Sequence, residues 1–167
     1  MKKTLLLFSV LVLLTCCNLL VKKITVDQVF TSGRSFLNSK FEKKTILDNK
    51  NFVMFTTPDS TSYVFKKADI VIGDLNNDGA QDAIITYVVV LKNKSFFNKQ
   101  VVFINEKGVL KPQKEFQLVV FIKKIEGGVV MAEKSKIAAD SPNFGCHSCM
   151  VKIKLRFEKD SLIEVTK

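Results

Sequence analysis

Oxygen-bearing side chains recur at odd positions in the segment VIGDLNNDGAQDAIITYVVV, residues 71–90. Numbered from Asp74, the loop has Asn76 at position 3, Asp78 at position 5, Gly79 at position 6 and Asp82 at position 9. Ca²⁺ is a hard cation that takes about six to eight oxygen ligands, and a tight loop can supply them by alternating ligands around a sharp turn at glycine. With the carbonyl at position 7 included, the spacing predicts a Ca²⁺ site formed by Asp74, Asn76, Asp78, Ala80 and Asp82.

The pattern D-x-N-x-D-G-x-x-D, preceded by Ile72-Gly73 and followed by Ala83-Ile84-Ile85, resembles the calcium loops of FG-GAP and integrin-alpha-like repeats. It is most similar to the single copies in small exported bacterial proteins. The resemblance implies a structural Ca²⁺ ion on the same five residues; it implies neither catalysis nor a propeller, which one copy cannot build.

The loop departs from an EF-hand at position 12, where Ile85 replaces the bidentate Glu and the chain continues as a strand. An affinity of about 10⁻⁴ to 10⁻³ M is therefore expected, as in extracellular modules. The alternative is a turn that binds no metal, because Asn, Asp and Gly also favour tight loops.

A second candidate is the C-x-x-C pair Cys146 and Cys149, which encloses His147, the chain's sole histidine. A disulfide before the following strand suits an oxidising compartment. Free thiols are an alternative. Redox or metal chemistry is another, but the pair precedes a strand rather than opening a helix, and a zinc site takes about four ligands. No nucleophile–base arrangement or phosphate-binding loop is present, so no catalytic residue is assigned, although carboxylate-only catalysis stays open.

The N-terminus, MKKTLLLFSVLVLLTCCN, has two lysines, a short apolar run and two cysteines, as in an export signal. The run is too short to span a bilayer permanently. The cysteines resemble the acylated cysteine of bacterial lipoproteins, with Cys16 preferred and Cys17 the alternative; Thr15 departs from the small residue usually found there. We therefore expect a signal peptide at 1–15, a lipid-anchored tether at 16–24 and one β-rich domain at 25–167. A cleaved signal without lipid is the other interpretation.

The chain carries a net charge of +10, almost entirely from lysine, since Arg34 and Arg156 are its only arginines. The lysines are scattered rather than gathered on one helix, which argues against nucleic acid as a partner. A solvated surface or attraction to anionic lipid and envelope polymers fits better. We expect a monomer attached by its lipid to the cell membrane or outer membrane, facing the periplasm or the cell surface.

From residue 50 onward, the alternation of apolar and polar residues predicts β-strands. Turns at Gly108 and at Gly127-Gly128 predict hairpins, so the fold class is mainly β, an antiparallel meander sheet or sandwich. Residues 25–44 are read either as a short helix interrupted near Gly33 or as an irregular arm. The strands are predicted at 51–56, 62–66, 82–91, 99–105, 116–125, 128–133, 150–158 and 162–165.

These observations favour a non-enzymatic envelope lipoprotein with a structural Ca²⁺ loop, which presents a surface to an unidentified protein or polymer. The alternative is a periplasmic thiol/disulfide protein that uses Cys146 and Cys149. A third hypothesis is an inhibitor-like lipoprotein that inserts the segment KNKSFFNKQ, residues 92–100, into a partner's cleft. In that case Phe96 and Phe97 would have to be exposed.

Overall fold

The computed structural model describes residues 23–137 and 146–165, which form one α-helix, ten strands and a short 3₁₀ turn. The elements are α1 (Val26–Ser39), β1 (Thr45–Asp48), β2 (Phe52–Thr56), β3 (Ser62–Gly73), β4 (Asp82–Val90), β5 (Phe96–Glu106), β6 (Val109–Phe116), β7 (Phe121–Glu126), β8 (Val129–Ser135), the turn His147–Cys149, β9 (Met150–Glu158) and β10 (Ser161–Glu164).

Two antiparallel sheets are formed in simple chain order. The first has six strands in the order β1-β2-β3-β4-β5-β6, and the second has four in the order β10-β9-β8-β7. The mainly β, antiparallel fold class predicted from the sequence is therefore confirmed. Backbone with positive φ at Lys107 and Gly108 forms the β5–β6 turn, and at Gly127 and Gly128 the β7–β8 turn, as the glycine positions predict.

Helix α1 covers one face of the six-stranded sheet. Thr25 caps it through a reciprocal capping box with Gln28, and the apolar side of the helix buries Val29, Phe30 and Leu37. Gly33 does not interrupt it: a Cβ there would lie 2.7 Å from the Phe65 ring, so glycine permits close packing of helix on sheet. The opposite face of this sheet shares a second apolar core with the four-stranded sheet.

Several predicted strand limits were wrong. β3 continues to Gly73 because a bulge between Phe65 and Ile70 absorbs the break in alternation at residues 66–69. The predicted strand 116–125 is divided between two sheets: β6 ends at Phe116 and β7 begins at Phe121. The short β1 and most of β6, both edge strands, were not predicted.

The predicted signal peptide, and the lipidation site at Cys16 or Cys17, lie outside the described residues. None of the helices in the described part of the chain is long and apolar enough to cross a bilayer.

Candidate metal loop and associated sites

The predicted Ca²⁺ loop joins β3 to β4, and both ends are fixed by the first sheet. Gly73 pairs with Asp82 across the two strands. Asn77 and Gly79 have φ of 59° and 86°, which gives the loop its sharp reversal. Leu75 is buried in the core between the sheets. The loop is thus anchored on its inner side, while residues 76–79 are exposed.

Hydrogen bonds within the loop use several of its side-chain oxygen atoms as acceptors. The Gly79 N–H donates to Asp74 Oδ2 at 2.9 Å, and the Ala80 N–H donates to Asp78 Oδ1 at 2.7 Å. Asn76 receives the Asp78 N–H on Oδ1 at 3.1 Å and donates through Nδ2 to Asp78 Oδ2 at 2.8 Å. Asn76 and Asp78 are therefore hydrogen-bonded to each other, whereas Asp74 is bonded separately to the loop backbone at Gly79.

Asp74 has a carboxylate oxygen with no hydrogen-bond partner. Its Oδ1 atom is buried and accepts no hydrogen bond from the described residues, although Oδ2 accepts one from Gly79. A buried acceptor without a partner costs about 1–3 kcal/mol. A cation bound in the loop would satisfy this atom, so the position 1 residue fits the predicted metal.

Asp82, the position 9 residue, is fully buried and holds the loop to the sheet. Its Oδ2 accepts the Leu75 N–H and its Oδ1 accepts the Asn105 N–H of β5, each at 2.9 Å. Burial raises the pKa of Asp82; the two backbone hydrogen bonds oppose this shift, and the charges of Asp78 and Asp74 add to it. A nearby cation would favour the charged carboxylate.

The geometry differs from a fully assembled carboxylate cage. Within residues 23–137 and 146–165, no group of three or more His, Cys, Asp or Glu side chains is placed to hold a metal ion. The predicted set contains three carboxylates, those of Asp74, Asp78 and Asp82, and these are not gathered into such a group; both oxygens of Asp82 already accept backbone hydrogen bonds. Metal binding by this loop stays a prediction.

The second sheet supports the loop through the β7–β8 turn. The Gly128 N–H donates to the Asp74 carbonyl at 3.2 Å. A Cβ at Gly128 would lie 2.3 Å from Asn77 Nδ2, and one at Gly73 would lie 2.5 Å from the Ile125 Cβ. A side chain at Gly73 would clash with Ile125, including its backbone carbonyl, so glycine is required there for close approach of the sheets. At Gly128 the exposed Asn77 side chain could move aside, and it is the φ of 72° that favours glycine.

The sequence did not predict the role of Asn105. Its backbone N–H reaches Asp82, and its side-chain Oδ1 accepts the Gly108 N–H at 2.8 Å in the β5–β6 turn. It is nearly fully buried. In the sequence, an Asn just before the predicted turn indicates its bond to the turn. Its bond to Asp82 has no local signal, because Asp82 is distant in sequence.

A disulfide joins Cys146 and Cys149, with 5.2 Å between their Cα atoms. The bond closes the 3₁₀ turn that leads into β9, and the Lys136 N–H donates to the Cys149 carbonyl at 2.9 Å. Reactive C-x-x-C pairs lower the thiol pKa by placing the first cysteine at an α-helix N-terminus. Here the element is a three-residue turn, so the surroundings favour a structural bond.

An ionic cluster between the helix and the first sheet was also not predicted. Glu115 of β6 forms ion pairs with Lys40, just after α1, and with Lys99 of β5. Burial opposes ionisation of Glu115, but hydrogen bonds from both lysines, with a smaller effect of the adjacent Tyr87 hydroxyl, outweigh it and hold the pKa of Glu115 below its usual value. The Tyr87 hydroxyl is buried without a hydrogen bond of ordinary geometry, and burial together with Glu115 raises its pKa. The cluster fastens the end of α1 to the sheet.

Comparisons with protein-family models, curated proteins and solved structures gave no match.

Proposed function

We propose that this chain is a non-enzymatic module of the cell envelope, exported and anchored by a lipid on Cys16 or, failing that, Cys17. The loop of residues 74–82 holds a structural Ca²⁺ ion, and the β domain presents a surface to an envelope protein or polymer. The observation that carries the calcium part is the buried, unpartnered Oδ1 of Asp74 inside a loop of the D-x-N-x-D-G type.

The Ca²⁺ ligands would be the carboxylates of Asp74, Asp78 and Asp82, the Asn76 amide oxygen and the Ala80 carbonyl. The ion would neutralise the carboxylate charges and, by binding several residues at once, would hold together a loop that contacts both sheets. Asp82 and Leu75 keep the loop in place from the core side. The exposed residues 76–79 close it from the solvent side.

Thermal unfolding of the domain, in 10 mM Ca²⁺ and in excess chelator, tests the calcium part. At a dissociation constant of about 10⁻⁴ to 10⁻³ M, this Ca²⁺ concentration stabilises the folded state by about 1.4 to 2.7 kcal/mol. For a chain of this size, that corresponds to a rise in Tm of roughly 3 to 10 °C.

Two conservative variants complete the experiment. Asp78→Asn removes one exposed ligand charge and is expected to abolish most of the Ca²⁺-dependent rise in Tm. Asp160→Asn, in the β9–β10 turn, makes the same chemical change at another exposed loop aspartate and is expected to keep the rise. Equal responses of both variants, or no rise in the unaltered domain, would refute the metal site.

The lipid part is tested separately by detergent partitioning of the full chain expressed in a bacterium that acylates lipoproteins. Cys16→Ser is expected to move the protein from the detergent phase to the aqueous phase, whereas Cys17→Ser leaves it in the detergent phase. The reverse result would assign the lipid to Cys17. Aqueous partitioning of the unaltered chain would exclude a lipid anchor.

A further inference from the structure

Among the described residues, no strand covers one part of an edge of the first sheet. β6 pairs with β5 only as far as Phe116 opposite Gln100, although β5 begins four residues earlier, at Phe96. Residues 96–99 of β5 pair with β4 on one side and have no strand on the other side among the described residues. In an antiparallel strand, every second residue directs both its N–H and its C=O to the same side. Two of these four residues therefore direct both groups to the open side.

Gln100 explains why β6 stops there. Its fully buried side chain accepts the Leu118 N–H at 2.9 Å and donates to the Leu118 carbonyl at 3.2 Å. In these two bonds, the Gln100 side-chain amide takes the place of the backbone of a neighbouring strand. Residues 117–120 therefore lie one side-chain length away from β5. Past Gln100 the two segments are separated by a groove of about 330 Å³.

The groove is mainly apolar and open to solvent. It is lined by residues 94–98 on the β5 side and residues 117–121 on the other. Phe96 is 70% exposed and Val119 is 51% exposed at its border. Its volume is at the low end of the range for ligand pockets, which is about 300–1,000 Å³. It has room for a few apolar side chains from an extended segment.

One lysine, Lys94, lines the groove, and Lys92 lies two residues before it in the same turn. Lys92 and Lys94, in the β4–β5 turn, are exposed and form no ion pair with the described residues. Lys99, in contrast, is neutralised by Glu115. Charge complementarity at the end of the groove therefore favours a ligand with acidic groups beside its apolar ones.

We propose that this groove binds an extended peptide segment of another envelope protein, which adds a short strand to the open edge of β5. Strand addition combines main-chain hydrogen bonds for affinity with pockets for alternate side chains for specificity. Residues 96–99 supply the main-chain groups, the groove receives the apolar side chains, and Lys92 and Lys94 pair with flanking carboxylates. The inference rests on the proposed function in that the module needs an envelope partner, but it does not involve the calcium loop.

A phage-displayed library of linear 12-residue peptides, selected on the folded domain, tests the proposal. Enriched peptides are expected to alternate apolar residues and to carry acidic residues at one end. Fluorescence anisotropy with the synthetic peptides is expected to show at least a tenfold loss of affinity for Phe96→Ser and for the double variant Lys92→Glu/Lys94→Glu. N-methylation of alternate peptide amides should abolish binding, and N-methylation of the intervening amides should not.

Matched controls separate the groove from general hydrophobicity and charge. Val109→Ser removes an exposed apolar side chain at the start of β6, and Lys152→Glu/Lys154→Glu reverses two exposed charges on β9. Both are expected to bind the peptides normally. Asp78→Asn should also bind them normally, so that loss of the calcium site and loss of peptide binding are separate results.

Three results would overturn the proposal. The first is a selection that yields no peptide whose affinity depends on Phe96. The second is a binding peptide that tolerates N-methylation at every amide, which would exclude strand addition. The third is sedimentation with phosphatidylglycerol vesicles that Phe96→Ser abolishes, without peptide binding, which would make the groove a membrane contact.

Discussion

The ionic cluster around Glu115 permits a prediction of how stability depends on pH. The Glu115 side chain is 15% exposed and pairs with Lys40 and Lys99, each 31% exposed. Glu115→Gln keeps the shape but removes the charge that both lysines face. Breaking a buried ion pair costs about 3–5 kcal/mol, and exposed pairs contribute about 0–1 kcal/mol. Since these lysines reach solvent in part, we expect a loss of about 2 kcal/mol at pH 7.

The pH dependence follows from the lowered pKa of Glu115 in the folded state. A carboxyl group whose pKa falls on folding contributes stability that is fully present above its unfolded pKa, about 4.3. That contribution is lost as the pH falls through the folded pKa. The free-energy difference between the unaltered protein and Glu115→Gln should be constant from pH 7 to about pH 5 and should shrink below about pH 4.

Urea unfolding at a series of pH values measures this difference. With an m-value of about 2 kcal/mol/M, a loss of about 2 kcal/mol lowers the midpoint by about 1 M. Glu164→Gln is the matched control, because the Lys134–Glu164 pair is 43% exposed on both sides and should change the midpoint little. A loss at pH 7 equal to that of Glu164→Gln, or a difference unchanged down to pH 3, would refute the reasoning.

Two further predictions concern the junction between the sheets and the disulfide. Gly73→Ala is expected to lower the free energy of unfolding by about 1–3 kcal/mol, because the new Cβ would lie 2.5 Å from Ile125 Cβ. Gly33→Ala should cost less in the same urea assay, since the gain in helix propensity offsets part of the clash with the buried Phe65 ring. An equal cost for both would show that the sheets can separate at this point. Reduction of the Cys146–Cys149 disulfide, or replacement of both cysteines by serine, is expected to lower the free energy of unfolding by about 2 kcal/mol, from the chain-entropy relation for so short a loop. The Ca²⁺-dependent rise in Tm should persist. A low thiol pKa together with catalytic turnover would instead favour the thiol/disulfide alternative.

Local chemistry made the β architecture predictable. The hairpins at Gly108 and at Gly127-Gly128 need backbone with positive φ, which glycine adopts readily, and both form where the sequence places them. The alternating residues 150–158 form β9 at the predicted bounds. In these segments turn residues and apolar periodicity agree with the tertiary structure, so a local interpretation is sufficient.

Tertiary contacts decided the parts that were predicted wrongly. The run FQLVVFIKKI, residues 116–125, reads as one strand because nothing local interrupts it. Its division depends on Gln100, which captures the Leu118 backbone and turns the chain toward the second sheet. Gly33 suggested an interrupted helix for a similar reason. The glycine allows the helix to pack closely against Phe65, and this contact cannot be recognised locally because Phe65 lies in a strand far along the chain.

In the candidate site, too, local features were predictable and tertiary contacts were not. The loop and its oxygen-bearing residues were predicted from spacing alone. The anchoring of Asp82 by the Asn105 N–H and the hydrogen bond from the Gly128 N–H to the Asp74 carbonyl could not be predicted, since each donor belongs to another hairpin. The inhibitor-like hypothesis required Phe96 to be exposed, and the structure exposes it because β6 ends before reaching it.

The proposed metal loop and the proposed peptide groove lie at opposite ends of the same two strands. Asp82 begins β4 next to Asn105 near the end of β5, whereas the groove borders the pair Val90 and Phe96 at the other end. At about 3.4 Å per residue, the length of β4 separates them by roughly 27 Å. A Ca²⁺ ion in the loop would therefore be too far from the groove to contact the residues that receive the peptide. Calcium would act on binding only through the stability of the domain, so at temperatures well below unfolding, peptide affinity should be the same in Ca²⁺ and in chelator.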